Sequence, residues 1–303
     1  MTTDEPQQTQ KINHIQLVWN IAEVLRGDFR PHQYGSIILP FLVLRRLECV
    51  LDPTREKVLD ALKSLPKGAD DHIREKLLNR GSSHKFHNTS KWTLEKLKGD
   101  SDHLLANLNA YIGSFSANVR DVLIDKFKLP THLEELENAK ILYAIVEKFA
   151  QLDLHPKRVP NHEMGSIFEE LIRKFSEQSN ETAGDHFTPR DVVTLLVNVL
   201  FLFDEEILTK PGVVRSMYDP TAGTGGILSL AQENLRRINP DAKLILFGQE
   251  INPESYAICK SDLLIKSSKT WTPTYSPPNP RCPTRSTQTR TSPTSGMTPI
   301  TPI

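Results

Sequence analysis

The stretch Met217–Gly226, MYDPTAGTGG, constrains this chain more than any other. Three glycines (Gly223, Gly225, Gly226) follow an Asp-Pro pair, and VVRSMYD (213–219) before them is a short β-branched run. Beyond them, GILSLAQENLRRI (226–238) has helical spacing and KLILFGQE (243–250) reads as a buried strand. NPESYAICKSDLLIK (252–266) reads as an amphipathic helix, with Asn252 as N-cap and Pro253 at its first position. Strand, glycine turn, helix, strand, helix is a βαβ unit, which commits this part of the chain to a parallel sheet. Such a turn gathers backbone N–H groups at the carboxyl edge of the sheet, where open α/β sheets hold ligands.

The residue types at the turn narrow the ligand. Asp219 closes the first strand and can accept hydrogen bonds from a ligand amine, while the glycines let backbone approach closely. Glu250 closes the second strand 31 residues later, placed to take both hydroxyls of a ribose. A dinucleotide fingerprint requires GxGxxG, but the order here is GxGG and no basic residue faces a pyrophosphate; the GK[ST] of a Walker loop is absent. An adenosyl ligand without phosphates suits a loop opened by a carboxylate. A tight turn holding nothing is the competing reading.

Everything upstream reads as helix. INHIQLVWNIAEVLR (12–26) places Ile12, Ile15, Trp19, Ala22 and Leu25 at three- and four-residue spacing, the pattern of an amphipathic helix. YGSIILPFLVLRRLECVL (34–51) predicts a mostly buried helix whose charge is confined to Arg45, Arg46 and Glu48. Further helices are expected over 54–64, 70–79, 102–111, 116–128 and 132–152, with no alternating strand before residue 205. Residues 1–155 therefore form an expected N-terminal α-helical domain, bounded by the Pro-containing DLHPKRVPN (153–161). Residues 156–266 form the α/β part, which opens with helices at 162–178 and 189–203 around the polar loop SEQSNETAGDHFTPR (176–190).

From Ser267 the pattern breaks. Of the last 37 residues, 24 are Ser, Thr or Pro and none is acidic, a composition that cannot bury enough apolar surface to order itself. Residues 267–303 are expected to be a disordered tail, read as a frame-shifted or artificially truncated end in preference to a natural linker, with two strands laid down before it.

Lys+Arg and Asp+Glu both number 37, so global charge makes no case for nucleic acid and leaves any such contact to a partner or a local patch. Three scattered cysteines without CxxC spacing fit a reducing compartment and offer neither a disulfide framework nor a zinc site. The polar start and the short apolar runs at 37–44 and 195–203, broken by Pro40 and Asn198, predict a cytoplasmic chain with no membrane span. HKFH (84–87) reads as a solvated loop with no metal, and Trp92 as tucked inward on an ordinary helix surface. Cys259 reads as a small buried apolar residue. Arg45 and Arg46 stand open as contacts to DNA backbone or to a partner subunit.

These segments together resemble a known family. DPTAGTGG resembles motif I of S-adenosylmethionine-dependent DNA amino-methyltransferases, and FGQEINP resembles the acidic motif II. AGDHFTPRDVV (183–193) resembles the segment that precedes motif I in the adenine-N6 branch and packs over the methionine end of the cofactor. With YGSIILPFLVLRRLE in front, the order resembles the modification subunit of type I restriction–modification systems over about residues 10–266. The resemblance implies a helical domain followed by an incomplete Rossmann-like class I methyltransferase domain. It places Asp185, His186, Phe187, Thr188, Pro189 and Arg190 near the methionine moiety. Thr224, Gly225 and Gly226 would line the cofactor through backbone, with Asp219 and Gly223 in the same turn and Glu250 on the ribose. Asp262 lies where adenine-ring contacts are expected, or is a plain exposed carboxylate.

The implied reaction moves an electrophilic methyl group from S-adenosylmethionine to adenine N6 in a flipped-out DNA base. The implied partners are DNA, a specificity subunit and a restriction subunit; no metal is required. The [NDS]-P-P-[YFW] string that would act on the amine is absent, and SPPNP (276–280) offers Asn279 where the aromatic belongs. The expectation is a chain that holds cofactor and methylates nothing. A non-catalytic truncated fragment or assembly module is the alternative; a protein-amide methyltransferase fits the long helical front less well.

Overall fold

The computed structural model describes residues 16–66, 68–178, 188–204, 208–265 and 271–275. A helical part comes first: α1 (16–22), α2 (Tyr34–Leu51), α3 (Arg55–Lys63), α4 (Asp71–Ser82), α5 (Leu94–Leu97), α6 (Leu104–Gly113), α7 (Ala117–Arg120), α8 (Leu129–Asn138), α9 (Leu142–Ala150) and α10 (Asn161–Gln178). The α/β part follows with α11 (Arg190–Leu202), β1 (Val214–Asp219), α12 (Gly226–Ile238), β2 (Lys243–Glu250), α13 (Pro253–Ile265) and β3 (Trp271–Tyr275). The expected helix over 132–152 is two helices, because Lys140 takes a left-handed φ of 59° between α8 and α9. The stretch 116–128 is likewise one turn of α-helix followed by a wider π-type segment, Asp121–Lys126.

α2 is the axis of the helical core. Its residues Ile37, Ile38, Phe41, Leu42, Leu44 and Leu47 are buried, and Phe41 stacks on Phe149 of α9 with ring centroids 5.2 Å apart. The two arginines of this helix turn inward, which corrects the idea that they contact DNA or a partner. Arg46 is fully buried and donates from Nη1 to the carbonyls of Leu154 and of Val159 (2.8 Å for the second). Arg45 donates to Leu152 O at 2.7 Å and pairs with Glu48 at 2.6 Å. The proline-bearing connection is therefore pinned: Leu152, Leu154 and Val159 are all buried. His87 also departs from expectation. It is buried, its ring Nδ1 meets Asn79 Oδ1 at 2.8 Å, and burial pulls its pKa down to about 4, so it stays neutral.

The sheet has the order β1-β2-β3, all parallel, with Asp219 opposite Gly248 and Glu250 opposite Tyr275. β3 corrects the expectation that ordered chain ends near residue 266 with two strands. Trp, Thr and Tyr favour extended backbone, and Pro273 is tolerated because β3 is the last strand of the described sheet.

Leu244 and Leu246 of β2 share a core with Val193 and Val197 of α11, Leu228, Ala231 and Leu235 of α12, and Cys259 and Leu263 of α13. All three helices thus cover one face of the sheet. On the opposite face the register neighbours Tyr218 and Phe247 are 58% and 37% exposed, and Val214 is 50% exposed. Parallel sheets ordinarily bury both faces; among the described residues, this one leaves an apolar face open.

α13 has no polar face. Cys259 and Leu263 pack toward the sheet, while Ala257, Ile258, Leu264 and Ile265 join the helical core. Its polar residues, among them Lys260 and Asp262, are scattered and gather on no one side, as in a helix that lies between the two parts of the chain. The amphipathic reading of 252–266 is corrected accordingly. Lys260 pairs with Asp121 across the joint at 2.5 Å.

Candidate functional site

β1 ends at Asp219 and α12 begins at Gly226, so the six residues 220–225 must reverse the chain in a small space. Asp219 Oδ1 starts the reversal by accepting from the Thr221 N–H at 3.0 Å, an Asx-type turn. The Ala222 N–H donates to Gln249 O at 2.9 Å, tying the turn to the neighbouring strand. The Gly225 N–H then donates to Ala222 O at 2.8 Å, and its φ of +85° swings the backbone into α12. Gly225 has a second reason to lack a side chain, because a Cβ there would sit 2.6 Å from Cys259 Sγ. A Cβ on Gly223 would meet nothing within 4 Å, so the turn is open on that side.

Glu250 joins the two strand ends. Its Oε2 accepts from the Gly223 N–H at 2.7 Å, and its Oε1 accepts from the N–H groups of Ile251 (2.8 Å) and Asn252 (2.7 Å). Three of the roughly four acceptor positions of a carboxylate are thereby filled by backbone. Asn252 caps α13 as its sequence predicts, accepting from the N–H groups of Glu254 and Ser255 at 2.9 and 3.1 Å.

The other Asp219 oxygen, Oδ2, is buried without a hydrogen-bond partner among the described residues. Burial pushes the Asp219 carboxyl above the ordinary carboxylate range, the Thr221 N–H opposes that shift, and the nearby Glu250 charge adds to it. A carboxyl whose folded pKa is raised contributes stability that is complete below its unfolded pKa of about 3.9 and is lost as pH rises through the folded value. Asp219→Asn keeps the acceptor for Thr221 and cannot ionise. Urea denaturation is expected to show this variant gaining stability over the parent at pH 7 and losing that advantage at pH 4.

A cleft opens beside the turn. Thr224, Gly225, Gly226 and Ser229 line it from the turn and α12, and Ile258 and Asp262 from α13. Arg190 and Val193 of α11 and Gly165, Phe168 and Glu169 of α10 close the other side. Of the residues singled out in the sequence, Arg190, Thr224, Gly225, Gly226 and Asp262 thus meet at one cleft. Asp262 is half-buried and accepts from Ser229 Oγ at 3.3 Å, so it is not a plain exposed carboxylate. Asp219, Gly223 and Glu250 build the turn itself. Thr188 and Pro189 are exposed at the entry to α11 and do not line the cleft; Asp185, His186 and Phe187 lie outside the described residues. The α10 residues of the wall carry no local signal, since 161–178 reads as an ordinary amphipathic helix.

Comparison with known proteins fits this geometry. A model of the HsdM N-terminal domain matches residues 16–149, and a model of the N-6 DNA Methylase family matches residues 159–274. The chain is 25% identical over 268 residues to the type I restriction enzyme MjaIX methylase subunit of Methanocaldococcus jannaschii, across 83% of this chain and 45% of that protein. The chain belongs to the type I restriction methylase-subunit family.

A second member of the family, the MpnII methylase subunit of Mycoplasma pneumoniae, is 24% identical over 289 residues, across 86% of this chain and 51% of its own length. The chain thus spans about half the length of the curated relatives it matches. The crystal structure of a type I restriction-modification system methyltransferase subunit from Streptococcus thermophilus superposes with a TM-score of 0.60 at 19% identity, across 91% of this chain and 61% of that one. At that identity the likeness is one of fold alone. The methylase match begins at 159 and so includes α10, although the apolar residues Met164, Ile167, Phe168 and Leu171 of that helix pack into the helical core.

Proposed function

We propose that this chain carries the S-adenosylmethionine-holding half of an adenine-N6 DNA methyltransferase, the modification component of a type I restriction system. The observation that carries the reading is the glycine turn held between two strand ends, with its Gly225–Gly226 backbone facing the cleft. The site fits the cofactor in three respects. Backbone is bare where a ligand must approach, no lysine is among the described residues that line the cleft, and the turn beside it holds a buried carboxylate oxygen without a hydrogen-bond partner among the described residues.

When bound, S-adenosylmethionine supplies a methyl group made electrophilic by its sulfonium. The residues of this chain bind and orient. Thr224, Gly225 and Gly226 offer backbone at the start of α12, and Arg190 presents a guanidinium for the carboxylate of the methionine end. Asp185, His186, Phe187, Thr188 and Pro189 belong to the same methionine-side segment in this reading. Glu250 takes the ribose with the acceptor capacity left beyond its three N–H partners, and Asp262 lies on the adenine side. The methylated substrate is DNA, with a specificity subunit and a restriction subunit as partners in the cytoplasm; among the described residues no helix is long and apolar enough to cross a membrane.

Calorimetry on the 303-residue chain is expected to show S-adenosylmethionine binding, and absence of heat at millimolar ligand would sink the cofactor reading. The same polypeptide is expected to transfer no labelled methyl group to DNA above background, because SPPNP lacks the aromatic that stacks on the flipped base. Transfer above background would show that other residues hold the adenine. The second reading, a non-catalytic assembly module, is favoured if cofactor binding fails while the helical domain folds.

A further inference from the structure

The cleft has two walls, and the glycine turn supplies one of them. The other is α10, whose Met164, Ile167 and Leu171 are anchored in the helical core while Gly165, Phe168 and Glu169 face the cleft. Glu169 stands at the start of α12: a Cβ on Gly226 would lie 3.5 Å from its Oε1. Arg190 faces the same space, and its Nη1 donates to Ser166 Oγ at 2.7 Å. Ser166 and Glu169 are three residues apart, so the cation and the carboxylate are presented along one face of α10.

Among the described residues, the charged ones lining the cleft are Glu169, Arg190 and Asp262. The other carboxylates of the neighbourhood have different tasks. Glu250 holds three backbone N–H groups, and Asp219 lies within the turn without lining the cleft. Asp262 is on the α13 side and takes the Ser229 hydroxyl. A guanidinium and a carboxylate lining one cleft match the two charges of an α-amino acid, which is what the methionine end of the proposed cofactor carries.

We propose that Glu169, supplied by the helical part of the chain, is the binding residue for the α-ammonium of the cofactor's methionine end, with Arg190 on the same side of the cleft for its carboxylate. This rests on the cofactor reading above and adds a residue to it. Placing the carboxylate on a helix rooted in the core holds it rigidly, and makes the cleft depend on both parts of the chain.

Three ligands separate the charges: S-adenosylmethionine, its decarboxylated form, which keeps the ammonium alone, and 5′-methylthioadenosine, which has neither group. In calorimetry on the full 303-residue chain, Glu169→Gln is expected to weaken the first two by about tenfold and the third by less than about twofold, the scale of a lost charged hydrogen bond. Arg190→Gln is expected to weaken S-adenosylmethionine and leave the decarboxylated ligand unchanged. Unchanged S-adenosylmethionine binding by Glu169→Gln overturns the proposal, and equal weakening of all three ligands overturns it in favour of a support role at the start of α12. A parent chain that binds all three while Glu169→Gln is silent removes this inference alone; a parent chain that binds none removes the cofactor reading with it.

Discussion

Replacing Arg46 by alanine is expected to destabilise the protein by about 3–5 kcal/mol, the scale of removing one partner from a buried charged network. The guanidinium is wholly buried, and it holds the carbonyls of Leu154 and Val159 in the connection between α9 and α10. Burial draws its pKa down to about 10, and the negative charges of Asp262 and Glu163 oppose that fall, so it remains a cation at neutral pH. Removing it strands two buried carbonyls and takes a compensating charge from beside the cleft. Arg46→Lys is expected to recover only part of the loss, because an ammonium cannot reproduce the planar fork. Urea denaturation checks both variants; an alanine variant within about 1 kcal/mol of the parent would show that the connection is held by burial of Leu152, Leu154 and Val159 alone.

Gly225→Ala is expected to cost about 2–4 kcal/mol, from a left-handed backbone and from overpacking. The two contributions are separable because the clash has one named partner. The new Cβ would lie 2.6 Å from Cys259 Sγ but 3.4 Å from Cys259 Cβ. Gly225→Ala with Cys259→Ala is therefore expected to be more stable than the sum of the two single changes predicts, leaving the cost of the +85° φ. Strict additivity in a double-mutant cycle would mean that the turn moves away from α13 instead of pressing on it. Cys259 also changes meaning here. A residue read as filler is the surface against which the glycine turn is moulded.

The local elements were legible because their signals are local. Asn252 and Pro253 announce the start of α13, and the glycines announce the turn between β1 and α12. Breaks within helices were less visible, since the left-handed Lys140 follows from how α8 and α9 pack and from no turn residue at that position. β3 was hidden by composition, because a Thr- and Pro-rich segment gains order from the neighbouring strand it pairs with. Arg45 and Arg46 misled for a similar reason: paired arginines on an apolar helix suggest an outside partner until the carbonyls they meet, more than one hundred residues away, are in place.

By itself the sequence determined the βαβ order, the glycine turn with its flanking Asp219 and Glu250, the helical front and the family resemblance. These rest on residue identity at fixed spacing, and short-range physics imposes them. The tertiary structure decided which side chains meet around that turn. It tied Glu250 to Gly223, set Cys259 under Gly225, brought Asp262 and Arg190 to one cleft and added Glu169 from a helix whose apolar face belongs to the other core. Contacts of that kind join residues from 27 to 57 positions apart, and packing alone brings them together.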